Sequence, residues 1–276
     1  MKKIFKRFLA YIIDMLIVYT IIMGLTSIPF LNPSNSKYNT YYHKYVKIYS
    51  EYTNFAKDLS DYYQDKDLSN KEYKALISKY PSFKDKMSKY YHDGKLTSSN
   101  YKKVSKDISR EYEDKYKKIN YRLSKYSIVG NIIGALVITV YFMACNILMK
   151  GATIGKKIMG LRIVSVQDGS VLNWQYLVRV LILYNPLYYL GVVIASMISD
   201  ANTFYTSSII LGNIRNYLSA IIMIMVMVRI DNRGLHEILS NTKVIFDDSK
   251  VSSNSNDTRL RGRRLKKVID AKVEDE

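Results

Sequence analysis

Residues 6–25 read KRFLAYIIDMLIVYTIIMGL. Arg7 and Asp14 stand seven positions apart, two helical turns, so both project from one face of an otherwise apolar segment. The apolar run from residue 8 to about residue 31 exceeds the ~20 residues a helix needs to cross ~30 Å of hydrocarbon. Asp14 then lies roughly 10 Å inward of Arg7. An isolated carboxylate at such a depth costs on the order of 3 kcal/mol, so it must face protein, water or a cation. A secretory leader is the rival reading of the basic start Lys2, Lys3, Lys6 and Arg7. The length of the run, its ionisable residue and the want of an A-x-A site favour a membrane span.

The 276 residues are 48% hydrophobic and 24% charged with a formal net charge of +18, an average that conceals two unlike parts. Three further apolar stretches, 126–149, 176–199 and roughly 208–228, approach spanning length. The third span should be kinked at Pro186, behind Asn185. Residues 32–125 contain no apolar run, and the chain is polar after Arg229. The expected fold is therefore all-α: a polytopic membrane helical bundle of four spans, with an extracytoplasmic helical stalk (32–125) inserted between spans one and two. Residues 150–174 form a cytoplasmic hairpin and 247–276 a disordered basic tail. Basic residues on the short flanks (Lys150, Lys156, Lys157 and Arg162; Arg229 and Arg233) place both termini in the cytoplasm. A loop longer than about 60 residues translocates regardless of its lysines.

The inserted segment is patterned. Tyr38, Tyr45, Tyr52 and Leu59 recur every seven residues, with Tyr42, Tyr49, Ala56 and Tyr63 in the second seam, which predicts one long amphipathic helix of coiled-coil type. Ser69 with Glu72 is a capping-box signature, Pro81 breaks the following helix, and Asp93-Gly94 is a turn. From Thr97 a further helix runs through Tyr101, Val104, Ile108 and Tyr112 into the second span. DLSNKEYKAL and KLTSSNYKKV are loosely alike, but two diverged copies do not make a repeat protein. Tyrosines at the seams read first as packing residues of a helical hairpin, and second as a half-wet surface for a partner protein.

In the connection KGATIGKKIMGLRIVSVQDGSVLNW, Gly151, Gly155 and Gly160 allow tight turns. Ile163–Val166 reads as a short strand and Asp168-Gly169 as a hairpin turn. GATIGKK lacks P-loop spacing. Cys145 alone excludes an internal disulfide, and the three histidines lack ligand spacing. No nucleophile with a base, paired aspartates or metal motif falls in the spans, so neither an enzyme nor a cofactor is expected. Gly130-x-x-x-Gly134 offers a close-packing face, within one protomer or between two. Arg215 and Asn216 add polar residues to the fourth span.

Three ordered blocks resemble the RDD family of bacterial membrane proteins, named for an arginine and two aspartates. Arg7-x-x-Ala10-x-x-x-Asp14 is similar to its opening block. Thr153-x-Gly155-Lys156-x-x-x-Gly160-Leu161-Arg162 is similar to its central block, followed by a basic residue, Arg179. Asp231-Asn232-Arg233-Gly234-Leu235-His236-Glu237, with Thr242 and Val244 behind it, is similar to its closing block, and Glu237 stands where the family has its second aspartate. The resemblance covers roughly 1–31 and 126–246. It implies a compact multi-span domain in the bacterial cytoplasmic membrane, with transport suspected in some members and no settled common activity.

Arg7, Asp14 and Arg179 are expected to form an intramembrane polar cluster. Its bland role is structural, since buried ions are satisfied by partners; its sharper role is an ion or small-solute path. The alternative function is a non-transporting scaffold or regulator that binds a partner through the stalk. Arg259, Arg261, Arg263, Arg264, Lys266 and Lys267 in the tail suit anionic lipid at the membrane surface. They carry no interleaved aromatics, so no nucleic acid is expected.

Overall fold

The structure, a computed structural model, describes residues 2–64, 68–167 and 170–247. The expected turn at Asp168-Gly169 and the six basic tail residues lie outside them. The described residues fall into two compact units. One comprises, of the described residues, 2–23, 134–187 and 215–247, the other 24–133 and 188–214.

Helix α1 runs Lys2–Ser27 and stops where Pro29 approaches, because the residue before a proline avoids helical geometry. Helices α6 (Ile128–Leu148) and α10 (Ala201–Val228) are, like α1, long and apolar enough to cross a membrane. The stretch expected as a kinked third span is two helices, α8 (Asn173–Leu183) and α9 (Pro186–Ile198), bent by 61°. Asn185 at the break takes φ +50°, a left-handed conformation that asparagine tolerates. Pro186 then opens α9, where its missing N–H costs nothing. If the pair is one broken span, the described residues hold four.

In the second unit, α2 (Asn35–Tyr62) and α5 (Ser98–Tyr126) pack antiparallel, carrying ring pairs Tyr41/Tyr126, Tyr52/Tyr112 and Tyr63/Tyr101 at 5.3, 4.0 and 4.1 Å. Between them come α3 (Asn70–Lys79), a 3₁₀ turn at Pro81–Phe83, and α4 (Lys84–Tyr90). Phe55, Leu59, Leu76, Met87, Val104 and Ile108 form a hydrophobic core with almost no exposure. The heptad reading holds in part: Leu59 of the first seam and Tyr63 of the second are buried and Tyr52 packs against them, but Tyr42 and Tyr49 are exposed and Phe55, outside both seams, joins the core where short helices pack on the far half of α2.

The two loosely similar decapeptides share a purpose. Each starts a helix: Ser69 accepts from the Glu72 N–H at 3.3 Å, Thr97 accepts from the Asn100 N–H at 3.3 Å, and the preceding Leu68 and Leu96 are buried. That is the placement of a hydrophobic staple. Helix α5 does not continue unbroken into α6, since Ser127 intervenes.

The first unit departs from all-α. After α7 (Ile154–Ile158), strand β1 (Leu161–Ser165) pairs antiparallel with β2 (Thr242–Phe246), matching Ile163 with Val244 and Ser165 with Thr242. The expected strand exists one to two residues early. Its partner is not a local hairpin but a segment beyond α11 (Leu235–Leu239), a pairing that periodicity cannot reveal. Leu161, Ile163 and Val244 pack with Ala10 of α1 and Tyr176 of α8, fixing the sheet against both helices.

Candidate functional site

The three blocks of sequence converge in the first unit, in two polar nodes. The first is built on Asp14, which has no exposure. Its Oδ1 accepts from the Tyr141 hydroxyl at 2.9 Å and from the Gly155 N–H at 2.8 Å, and its Oδ2 accepts from the Thr153 hydroxyl. Thr153 caps α7, accepting from the Lys156 N–H at 3.3 Å, while Lys156 Nζ lies 3.4 Å from the same Thr153 oxygen. Only glycine fits at 155: a Cβ there would stand 2.2 Å from the Ala10 carbonyl oxygen. This contact lets the start of α7 reach the carboxylate.

Lys156 is the buried cation nearest this node in its bonding. Burial pulls its ammonium from 10.5 down to about 8; Asp14 opposes that fall, while Arg179 and Arg7 add to it.

The second node is built on Glu237, also without exposure. Oε2 accepts from Arg7 and from the Gly234 N–H at 3.0 Å; Oε1 accepts from the Val244 N–H at 3.1 Å and lies 3.7 Å from Arg179 Nη1. Burial alone would push this carboxyl up, but Arg179 and Arg7 outweigh it and leave the group below its ordinary 4.5. Arg179 also donates to the Thr242 hydroxyl, which shares a hydrogen bond with Ser240 at 2.7 Å; Gln175 donates to the Ser240 carbonyl at 2.8 Å. Arg7 donates to the Asn232 carbonyl. His236, buried beside Glu237, is driven well below 6.5 by burial, with Arg179 and Arg7 adding to it, and is neutral.

The geometry redistributes the expected cluster. Arg7, Asp14 and Arg179 all lie in the polar interior of one unit, yet no Asp14–Arg179 or Asp14–Arg7 pair occurs among the described residues. Both arginines turn to Glu237, whose extra methylene lets one carboxylate meet two guanidinium groups and two backbone N–H groups. Of the remaining motif residues, Arg233 bridges the Thr242 and Glu237 carbonyls at 3.1 Å each, and Asp231 accepts from Arg229 at the surface. Arg162, on the exposed face of β1, lies 3.8 Å from Asp247. Gly160 takes φ +65° and its carbonyl accepts from Asp247 N–H at 2.9 Å. Gly134 packs on Ile22 of α1, so this small residue serves contact within the protomer. Arg215 and Asn216 sit exposed on α10.

Sequence reasoning missed Tyr141 and the partnership of Lys156 with Asp14. A tyrosine mid-span that must bond its hydroxyl was the available signal for the first. For the second it was the lysine three residues after a capping threonine.

No curated protein and no solved structure matches the chain. A family model does, over residues 116–241, which takes in the central block and the closing block through Glu237 and leaves the Arg7/Asp14 block outside. The model is that of the RDD family, a family of membrane proteins, to which this part of the chain is similar.

Proposed function

We propose that the protein is a multi-pass membrane protein of four spans that moves an ion or small solute across a bacterial cytoplasmic membrane, coupled to a proton held at the Asp14 node. In this reading both termini are cytoplasmic, the insertion is outside and no catalytic step is involved. The observation that carries it is an unbroken line of hydrogen-bonding groups, Lys156 Nζ, the Thr153 hydroxyl, the Asp14 carboxylate and the Tyr141 hydroxyl. It joins the cytoplasmic connection to the interior of two spanning helices. Charge balance supports it further. Arg7, Arg179 and Lys156 face Asp14 and Glu237, so the cluster holds one excess positive charge, and loss of a single proton from Lys156 neutralises it. Intramembrane carboxylates with such partners are the usual sites of proton relay. Sealed vesicles containing the purified protein test the proposal. An imposed pH gradient should drive counterflow of a cation or solute, and folded Asp14→Asn protein should lose it. Equal flux through both proteins would refute the assignment.

The second reading, a scaffold or regulator presenting its insertion to a partner, is favoured by a different observation. The insertion has its own closed core, and its tyrosine tips are tied inward, Tyr63 to Ser98 at 3.0 Å and Tyr80 to Asp58 at 2.8 Å. A rigid outer domain of that kind suits recognition.

A further inference from the structure

A cavity of about 430 Å³ opens in the second unit where α2, α5, α6, α9 and α10 meet. It has no part in the polar nodes. Its walls combine aromatic rings, those of Tyr38, Tyr42, Tyr45, Tyr116, Tyr188 and Phe204, with short neutral polar side chains, Asn120, Ser124, Ser127, Asn131 and Ser208. Not one charged side chain lines it among the described residues. Ring centroids follow at 6.1 Å (Tyr38 to Tyr42), 6.3 Å (Tyr42 to Tyr45) and 5.6 Å (Tyr45 to Tyr116), making a continuous aromatic wall.

The polar residues of the lining, some of them on the same face of α5 as Tyr116, supply hydrogen bonds. Asn131 donates to the Ser127 hydroxyl oxygen at 3.1 Å, which leaves its own side-chain carbonyl to accept. The hydroxyls of Ser124, Ser127 and Ser208 donate to backbone carbonyls at 2.8, 2.9 and 2.8 Å, so each oxygen keeps lone-pair capacity to accept. The Asn120 amide, half-buried, has no hydrogen-bond partner among the described residues and offers both donor and acceptor.

Aromatic faces together with neutral amides and hydroxyls match a ligand with C–H faces and many hydroxyl groups. We propose that this cavity binds a carbohydrate ring, from a free saccharide or from a glycolipid headgroup. A volume of this size lies within the range of small-molecule pockets. An organic cation fits less well although rings favour cations. The neighbouring tyrosines already carry Lys117 over Tyr205 at 5.2 Å, Arg122 over Tyr41 at 5.7 Å and Lys125 over Tyr121 at 4.5 Å, and no carboxylate of the lining offsets that positive field.

Calorimetric titration of the full chain in lipid nanodiscs tests this, with glucose, N-acetylglucosamine and maltose as free probes and choline as the cationic probe. A second arm compares nanodiscs containing a glucosyl diacylglycerol with discs of phosphatidylglycerol alone, read by retention of the glycolipid. The expected result is saturable binding of at least one glycosyl probe; the arm in which it occurs identifies the source. Asn120→Ala and Tyr42→Ala should each weaken it about ten-fold, equivalent to about 1.4 kcal/mol. Tyr49→Ala, similarly exposed on α2 but outside the cavity, should leave it unchanged. Because the Asn120 amide has no hydrogen-bond partner among the described residues and Tyr42 is 45% exposed, both variants should keep the wild-type melting curve. Binding of choline alone, no glycosyl binding in either arm, or glycosyl binding indifferent to both substitutions in folded protein would overturn the proposal.

Discussion

Replacing Glu237 with glutamine keeps the shape of the side chain and removes its charge. In the native protein that charge faces Arg7, whose side chain keeps 13% exposure, and Arg179, which keeps 4%. It also accepts from the N–H groups of Gly234 and Val244. Glutamine retains one acceptor, but its new N–H₂ points at donors, and two guanidinium groups are left without their carboxylate. Removing one partner of a buried pair costs about 3–5 kcal/mol. The loss should approach the upper end, because Arg179 cannot turn to water. Adding Arg179→Gln in the same protein should return part of it, with a coupling of roughly 0.5–3 kcal/mol between the sites. Arg7→Gln in place of Arg179→Gln should return less, since Arg7 is already partly hydrated. Thermal unfolding in detergent, followed by circular dichroism for the single and double variants, measures this. Strictly additive losses would refute the shared node. The pH dependence carries the same information. A carboxyl held below its ordinary 4.5 contributes stability that is fully present above that value and disappears as the pH falls through the folded-state value. Wild type should therefore lose stability in acid faster than Glu237→Gln.

Three other outcomes are expected. Gly155→Ala should destabilise the protein and detach α7 from Asp14, since its Cβ would meet a backbone oxygen at 2.2 Å; a melting temperature equal to that of wild type would contradict the close approach. A fragment of residues 36–125 should be helical in aqueous buffer and melt cooperatively, and Leu76→Ala should cost it about 2–5 kcal/mol by leaving a cavity in the core; a random-coil spectrum would show that the insertion depends on the spans. Ser60→Cys, exposed on α2, should react with an impermeant thiol reagent in intact cells, and labelling only after permeabilisation would place the insertion inside.

The features legible in the sequence were those set by local chemistry. The apolar runs gave the long helices, Pro186 the break, and Ser69 with Glu72 the start of α3, because each depends on residues within a few positions. The buried face of α2 was legible only in part: the heptad spacing reached Leu59 and Tyr63 but not Phe55, which is chosen by helices that fold back from residues 70–90. Strand β1 was read, but its pairing with β2 was not, since the two segments are far apart in sequence and meet only in the folded unit. The site shows the same division. Spacing put Arg7 and Asp14 on one face of α1, and the closing block pointed to Glu237. Which cation meets which carboxylate, however, depends on side-chain reach: Gly155 lets α7 come close enough for Thr153 and Lys156 to serve Asp14, and the arginines are thereby released to Glu237.

Proton coupling at the Asp14 node requires Lys156 to be its dissociable cation, and the titration of that lysine can be observed directly. With ¹³C-labelled lysine and assignment through Lys156→Met, the Lys156 side-chain carbon resonance should show a transition near pH 8, well below the ordinary 10.5. In Asp14→Asn protein that transition should move lower still, because the carboxylate raises the lysine against the downward pull of burial and the arginines. A Lys156 that titrates at its ordinary value, or a transition that ignores the loss of the Asp14 charge, would contradict the account.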